Sequence, residues 1–216
     1  MNTAKQLEDW VRTFSPHSPL ISVQAVQHGL GWSPETLNQA LATLAQTMPF
    51  YADQHQWVNL WAPMGPEELV TYLCPDGYLS GEWALSWHGC LSQQPTRLMV
   101  VDHVHPAISP RALTPQWSFE CVPALFDEPA TRISRPPLLP IATAAQALLD
   151  WAEYRWRRHQ GAQSQLANFL DDCDRDVVEE ELVAVAQTSI DGRKQRLAGI
   201  LLNAWPGESR WPITPR

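Results

Sequence analysis

The chain has 216 residues, a formal net charge of −8 and a hydrophobic content of 44%. This length is enough for one large domain, or for a small domain followed by one of about 140 residues, and the apolar content allows a packed core. The negative charge argues against a protein that coats nucleic acid without regard to sequence, but it leaves room for a local basic surface.

Membrane signals and paired cysteines are missing from the sequence. No apolar run reaches the roughly eighteen residues of a membrane-spanning helix, and the polar N-terminal residues do not form a secretory signal. The cysteines Cys74, Cys90, Cys121 and Cys173 are widely spaced and make no Cys-x-x-Cys pair. We therefore expect a cytoplasmic protein without membrane contact, whose cysteines are buried and reduced.

The first 62 residues predict a winged helix-turn-helix. Apolar residues from Leu7 to Phe14 follow the spacing of an amphipathic helix, and Ser33-Pro34-Glu35 is a strong start signal for another helix. The order of elements is that of a winged helix. The elements are helices over 2–14, 22–28 and 34–46, a glycine turn over 29–32, and a hairpin with strands over 50–52 and 57–61.

The third predicted helix is the candidate DNA-reading element. Leu37 and Leu44 lie on its apolar face, and the opposite face carries polar side chains able to reach base edges or phosphates. A homodimer would present this face twice and would suit an inverted-repeat operator. The residues predicted to contact DNA are Ser33, Thr36, Asn38, Gln39, Thr43 and Gln46.

The N-terminal module has little positive charge for a DNA-binding protein. Residues 1–62 contain Lys5 and Arg12 as their only Lys or Arg residues, against four acidic residues. Because Lys and Arg contacts to phosphates supply much of the affinity for DNA, binding would need dimer avidity or arginines from the second part of the chain. The alternative is a non-enzymatic interaction module of a mobile-element or defence operon, whose winged helix serves protein contact or dimerisation.

The rest of the chain predicts an α+β domain over 67–205, so the fold class is α+β with the winged helix first. The sequence predicts a linker at Pro63–Pro66 and an extended tail over residues 206–216. A small sheet is followed by a helical C-terminal part. The predicted strands cover 96–102, 117–122, 131–134 and 138–141, and the predicted helices cover 66–73, 143–158, 163–170, 174–187 and 191–204.

Gly77–Leu91 is the most distinctive segment of the second domain. We expect Ser80 to cap a short helix that Gly89 ends in a left-handed conformation. Trp83 and Trp87 lie four residues apart and predict a buried aromatic stripe. Replacing Trp87 by alanine would then cost on the order of 3–5 kcal/mol of stability.

Several segments together resemble a known family. Gly77-Tyr-Leu-Ser80, Ala84-Leu85 and His88-Gly89 are similar to the block gly-tyr-ile-ser, ala-leu, his-gly-leu of the AbiEi-type antitoxins. Ile141–Asp150 resembles that family's segment ala-x-pro-glu-arg-ala-leu-leu-asp, with alanine, alanine and glutamine in place of proline, glutamate and arginine. Arg196–Leu202 is similar to a late helix of the family, so the resemblance spans most of the chain.

The resemblance implies a bacterial defence protein that is both a transcriptional autoregulator and the antitoxin of a type IV toxin–antitoxin system. Its winged helix would bind operator DNA. Its C-terminal domain would counteract a cognate toxin resembling a nucleotidyltransferase, without being an enzyme and without a cofactor.

The remaining reactive residues favour structural roles. His103 and His105 form a His-x-His pair, but no third or fourth metal ligand can be placed beside them, so we expect no metal. His88 is expected to lie in the core or to bond a backbone carbonyl, and no nucleotide-binding or hydrolase motif predicts a catalytic residue. The basic cluster at the end of the helix over 143–158 suits the helix dipole. It is also a candidate partner contact, through Arg155, Arg157 and Arg158.

Overall fold

The computed structural model describes residues 2–46, 56–74, 76–93, 95–102, 118–133, 140–157 and 163–205. The first strand of the predicted hairpin, the His-x-His pair, Arg158 and the predicted tail lie outside these residues. The described chain is a mixture of helices and small sheets, as the predicted α+β class requires.

The described residues of the N-terminal part form three helices and a two-stranded antiparallel ribbon. The three helices follow the predicted ones closely, but the sequence does not predict the strand between the first two. The strand predicted over 57–61 is shorter in the structure and pairs with that additional strand. In chain order the elements are α1 (Thr3–Phe14), β1 (Leu20–Ser22), α2 (Val23–Leu30), α3 (Pro34–Ala45) and β2 (Gln56–Val58).

Serine caps set the starts of α2 and α3. Ser22 Oγ accepts a hydrogen bond from the Ala25 N–H at 3.4 Å, and Ser33 Oγ accepts one from the Thr36 N–H at 3.3 Å. Between the helices, Gly31 has a φ of 64°, a left-handed conformation that glycine adopts without steric cost. A short turn therefore joins the two helices.

The second part combines a five-stranded sheet with helices. The helix predicted over 143–158 is α-helical only as far as Trp151 and continues as a wider π-helical segment. None of the described helices is both long and apolar enough to cross a membrane. In chain order the elements are α4 (Pro66–Leu73), β3 (Tyr78–Ser80), α5 (Gly81–Trp87), β4 (Arg97–Asp102), β5 (Ser118–Pro123), β6 (Arg132–Ile133), β7 (Ile141–Ala142), α6 (Ala144–Trp151), the π-helical segment (Ala152–Arg157), α7 (Gln163–Asp171), α8 (Arg175–Thr188) and α9 (Gly192–Ala204).

The sheet has the strand order β5-β4-β3-β7-β6, with β3 at its centre. β3 runs antiparallel to β4 and parallel to β7, β4 and β5 are parallel, and β6 and β7 are antiparallel. Every residue of α6 is buried, and this helix packs against α5, β3 and α8. A helix that is buried on all sides lies in the middle of a domain, so α6 is the central helix of the second part.

The β1–β2 ribbon lies between two hydrophobic cores. Ile21 and Trp57 face each other across the ribbon and belong to the core of the N-terminal part. The neighbouring pair, Leu20 and Val58, packs into the core of the second part. Successive side chains of a strand point to opposite faces, so two short strands connect both cores.

The predicted linker Pro63–Pro66 is anchored to the second part by one residue, while Pro63 is exposed. Met64 is buried in the core of the second part. Just before it, the fully buried Asn59 side chain donates hydrogen bonds to the Ser15 carbonyl at 2.7 Å and to the Ser18 carbonyl at 2.9 Å. These bonds hold the end of α1 against the chain that enters the second part.

The segment Gly77–Leu91 departs from prediction at two residues. Ser80 precedes α5 but does not cap it, because its Oγ donates to Asp150 Oδ2 at 2.6 Å. Trp83 is buried, but Trp87 is 37% exposed, since it is the last residue of the short helix and its neighbours are partly solvated. The prediction that Trp87 is a core residue is therefore wrong.

Two other predictions for this segment are confirmed. Gly89 has a φ of 80°, the left-handed conformation expected after the helix. His88 Nε2 donates a hydrogen bond to the Ala142 carbonyl at 2.8 Å, so this histidine links the end of α5 to β7.

Candidate functional sites

The outward face of α3 carries the side chains predicted to contact DNA. Leu37 and Ala40 are buried in the N-terminal core, so the opposite face of the helix is turned to solvent. Thr43 Oγ donates to the Gln39 carbonyl at 2.9 Å, which fixes one hydroxyl along the helix. Of the six predicted residues, Thr36 is half-buried, and the exposed ones are Ser33, Asn38, Gln39, Thr43 and Gln46.

The charges near this face are few. Arg12 Nη2 lies 2.8 Å from Glu8 Oε1, and the guanidinium carbon lies 5.7 Å from the centroid of the Trp61 ring. Lys5 is exposed on α1. Glu35 in the first turn of α3 is exposed, and hydrogen bonds from its own backbone N–H and a neighbouring serine lower its pKa, so it is charged at neutral pH. The module therefore offers one exposed lysine and one paired arginine to a polyanion.

An aromatic pair marks the C-terminal end of α1. Phe14 is 68% exposed, and its ring centroid lies 5.4 Å from that of Trp10. Exposed aromatic side chains are enriched at protein–protein interfaces, so this end of the helix is a candidate protein contact.

The arginines predicted to contact a partner form ion pairs with glutamates of their own chain. Glu120 on β5 accepts hydrogen bonds from Arg97 at 2.8 Å, from Arg155 at 2.5 Å and from the Tyr154 hydroxyl at 3.1 Å. Tyr154 and Arg155, consecutive residues of the π-helical segment, thus contact the same carboxylate. Arg157 pairs at 3.2 Å with the glutamate four residues before it. Both described arginines of the cluster thus have partners on their own chain.

A buried polar network surrounds Asp150 on α6. The Tyr78 hydroxyl and Ser80 Oγ donate to its Oδ2 at 3.1 and 2.6 Å, and Gln146 Nε2 donates to its Oδ1 at 2.8 Å. Burial raises the pKa of this carboxyl to about 6, and the three hydrogen bonds oppose that rise. The carboxylate is therefore costly to bury, yet both of its oxygens have donors.

This network joins the segments Gly77–Gly89 and Ile141–Asp150. Leu79 pairs with Ile141 in the parallel β3–β7 ladder, and the donors on either side of Leu79 reach Asp150. The two segments thus meet in space as a structural unit. One sequence signal could have identified the unit, since Asp150 is a carboxylate within an otherwise apolar run, and a buried carboxylate requires donors.

A second polar site is a cavity of about 270 Å³ bounded by α6, α8 and the start of α9. Its floor contains the buried residues Ala145, Gln146 and Lys194. Its rim carries hydroxyls and carboxylates, of which Glu181 and Thr188 are exposed and Glu128 is half-buried. The sequence does not predict this site, because nothing in the local pattern shows that Lys194 is inside.

Lys194 is unusual among the residues that line this cavity, because it is a lysine and is buried. Its side chain is 2% exposed, and its Nζ lies 5.9 Å from the centroid of the Phe126 ring. No carboxylate oxygen of the described residues lies within ion-pair distance of its Nζ. It acts on Asp150 only at longer range, where its charge lowers the pKa of that carboxyl.

The four cysteines are free, and three of them are buried, as predicted. Cys121 is half-buried, and a hydrogen bond from the Cys74 thiol lowers its pKa. The pKa of Cys74 is raised by the same hydrogen bond and by burial, while burial raises the pKa of Cys90 to about 11 and that of Cys173 to about 12. Within the described ranges, no three His, Cys, Asp or Glu side chains cluster in a way that could hold a metal ion.

No protein-family model and no curated protein matches this chain. Among solved structures, the chain is similar to the crystal structure of the Rv2827c protein from Mycobacterium tuberculosis, with 16% sequence identity and a TM-score of 0.41. The similarity covers 94% of this chain and 77% of that one. At this identity and TM-score, the similarity identifies neither a family nor an activity.

Proposed function

We propose that the chain is a DNA-binding transcriptional autoregulator that reads its operator with α3. The observation that supports this proposal best is the solvent-facing polar surface of α3, where Asn38, Gln39 and Thr43 are exposed opposite a buried apolar face. Asn and Gln amides pair with the major-groove edge of adenine, and each good bidentate pair is worth about 1–3 kcal/mol of discrimination.

The small number of cations constrains how this binding works. Each phosphate neutralised by Lys or Arg contributes about 0.9 to the slope of log K against log salt concentration. Lys5 and Arg12 from two copies could neutralise about four phosphates, so the slope would not be steeper than about −4. Affinity at physiological salt then depends on a homodimer that engages both halves of an inverted repeat, or on further phosphate contacts from arginines of the second part of the chain.

A gel-shift titration of the full chain on its own upstream DNA tests the proposal. We expect a specific shift that survives about 150 mM salt and competitor DNA, with the shallow salt slope given above. The matched control is DNA of the same length and base composition in shuffled order. A complex that forms equally on both DNAs, or no complex at all, contradicts the proposal.

The antitoxin function is a second part of the proposal and rests on the resemblance of Gly77–Gly89 and Ile141–Asp150 to AbiEi-type antitoxins. In this view the second domain counteracts a nucleotidyltransferase-like toxin and carries out no chemistry itself. Expression of the adjacent gene alone should arrest growth, and co-expression of this chain should restore it. If growth arrest is unchanged on co-expression, the antitoxin function is contradicted. This outcome does not bear on DNA binding, which the gel shift tests separately.

A specific observation favours one alternative, in which the N-terminal module contacts protein instead of DNA. Arg12 is already engaged by Glu8, and the exposed ring of Phe14 lies beside Trp10. A Phe14→Ser variant separates the alternatives. If the module is a protein contact, the variant loses self-association or partner binding, and the wild type shows no operator preference.

A further inference from the structure

Two of the four cysteines meet on one face of the five-stranded sheet. Cys121 on β5 is the register partner of Val100 on β4, so the two side chains lie next to each other on the same face. Cys74, which follows α4, lies close to the same valine. A Cβ placed on Gly77 would be 2.9 Å from the Cys74 Cβ and 3.2 Å from Val100 Cγ1. The end of α4 therefore brings Cys74 to the part of the sheet that carries Cys121.

The two thiols make direct contact, and one of them is open to solvent. The Cys74 thiol donates a hydrogen bond to the Cys121 sulfur. It also lies within hydrogen-bond reach of Asp102, which is two residues after Val100 and on the same face of β4. Cys74 is buried, whereas Cys121 is half-buried on β5, which is an edge strand among the described strands. Of this pair, Cys121 is therefore the thiol that a small molecule can reach.

The two thiols also differ in reactivity. At Cys121, the hydrogen bond from Cys74 lowers the pKa and so increases the fraction of the nucleophilic thiolate. At Cys74, the same hydrogen bond, burial and the charge of Asp102 raise the pKa. An accessible cysteine with a lowered pKa beside a second cysteine is typical of redox-sensing pairs, in which the first thiol is oxidised and the second resolves it.

We propose that Cys74 and Cys121 are a peroxide-sensitive pair that closes reversibly into an intramolecular disulfide. The oxidant is hydrogen peroxide or an organic hydroperoxide. The Cys121 thiolate attacks one peroxide oxygen, the O–O bond breaks, and the other oxygen leaves with the former thiol proton as water or an alcohol. The Cys74 sulfur then attacks the sulfenic sulfur of Cys121, the S–O bond breaks, and the hydroxyl leaves with the Cys74 proton as water. The two sulfurs are oxidised and the peroxide is reduced.

The other two cysteines provide an internal comparison. Cys90 and Cys173 also lie near each other, since the charge of Cys90 contributes to the raised pKa of Cys173. Both are buried, and burial raises their pKa values to about 11 and about 12, so both thiols stay protonated at neutral pH. This second pair contains no activated thiol. We therefore expect it to remain reduced under conditions that oxidise Cys121.

The disulfide would join the end of α4 to β5 and close a covalent loop around β3, α5 and β4. All of these elements belong to the second part of the chain. The pair would therefore respond to peroxide whether or not α3 binds DNA, and a thiol reductant would restore the open form.

Titration of the reduced full chain with hydrogen peroxide tests the pair. The remaining thiols are blocked with N-ethylmaleimide in denaturant, and chymotryptic peptides are identified by mass spectrometry. Chymotrypsin cleaves after aromatic residues, several of which separate Cys74 from Cys90. We expect a cross-linked peptide that joins Cys74 to Cys121 and disappears on treatment with dithiothreitol. Cys90 and Cys173 should carry the blocking group.

Two variants test the assigned roles. Cys74→Ala removes the resolving thiol, so peroxide should leave a sulfenic acid on Cys121, which dimedone traps. The matched control is Cys90→Ala, which also removes a buried thiol and should form the Cys74–Cys121 disulfide at the rate of the wild type.

The outcomes are distinct. If Cys74→Ala does not fold, the peptide map of the wild type decides the test. The proposal is overturned if peroxide produces no Cys74–Cys121 peptide in the wild type, or if Cys90 and Cys173 are cross-linked first. It is also overturned if the Cys121 bond joins two copies of the chain, which a non-reducing gel shows as a dimer.

Discussion

At the level of single residues, Asp150 links β3 to α6 through a buried hydrogen-bond network. Its three donors come from β3 and α6 and are buried with it. Asp150→Ala leaves these donors without an acceptor and should cost about 3 kcal/mol or more. Asp150→Asn keeps an acceptor for Tyr78 and Ser80, and rotation of the Gln146 amide would give the new amide an acceptor. We expect its stability at neutral pH to match or exceed that of the wild type in urea unfolding.

The Asp150 carboxyl makes the free energy of unfolding depend on pH, and its raised pKa sets the direction of that dependence. Its pKa of about 6 in the folded state lies above the unfolded value of 3.8, so the folded protein binds the proton more tightly. This contribution to stability is present below pH 4 and is lost as pH rises through 6, on the order of 3 kcal/mol in total. The difference in unfolding free energy between wild type and Asp150→Asn should follow this curve. A difference that is flat between pH 4 and 7 contradicts the assignment.

Cys121 should be the most reactive thiol. It is half-buried and has a lowered pKa, whereas the pKa values of the other three thiols are raised. Because the thiolate is the nucleophile, iodoacetamide should modify Cys121 first at about pH 8. Peptide mass spectrometry over a time course measures the order, and Cys121→Ser should remove the fast phase. Faster labelling of Cys90 or Cys173 would overturn this ranking.

Sequence reasoning succeeded where the information is local and failed where it is tertiary. The Ser33-Pro34 start of α3 and the glycine after α5 are set by neighbouring backbone groups, and both were predictable. The burial of Lys194 and the donors of Asp150 depend on contacts across the fold. Tyr78 and Asp150, for example, are 72 residues apart in the chain. β1 is not predicted from the sequence, because a segment of three residues is too short to show the alternation of apolar and polar side chains that indicates a strand.

At the level of secondary-structure elements, the helix α5 is predicted correctly from the sequence, but the burial of its last residue, Trp87, is not. Spacing puts Trp83 and Trp87 on the same face, but it does not show that the helix ends at Trp87 in partly solvated surroundings. Trp83→Ala should cost about 3–5 kcal/mol, whereas Trp87→Ala, at a partly exposed residue, should cost about 1–2 kcal/mol. Urea unfolding followed by circular dichroism compares the two. Equal losses would mean that Trp87 has core contacts.

At the scale of the whole molecule, the β1–β2 ribbon should make the two parts unfold together. Its two cross-strand pairs enter different cores, so neither core can open without disturbing the ribbon. Leu37→Ala, which opens a cavity only in the N-terminal core, should cost about 2–5 kcal/mol. We expect it to lower the urea midpoint for peptides of α6 and α9 as much as for peptides of α1. Hydrogen exchange read by mass spectrometry measures each part, and early exposure confined to the N-terminal peptides contradicts the coupling.

DNA reading by α3 can be measured through the operator affinity of a paired set of variants. The set is the wild type, Asn38→Ala/Gln39→Ala, and Gln187→Ala on α8 as a control of the same residue type. We expect the double variant to lose at least about tenfold in affinity for its own upstream DNA, with reduced preference over shuffled DNA, because base-edge contacts are worth about 1–3 kcal/mol each. Gln187→Ala should bind like the wild type. Unchanged operator affinity in the double variant would contradict DNA reading by α3.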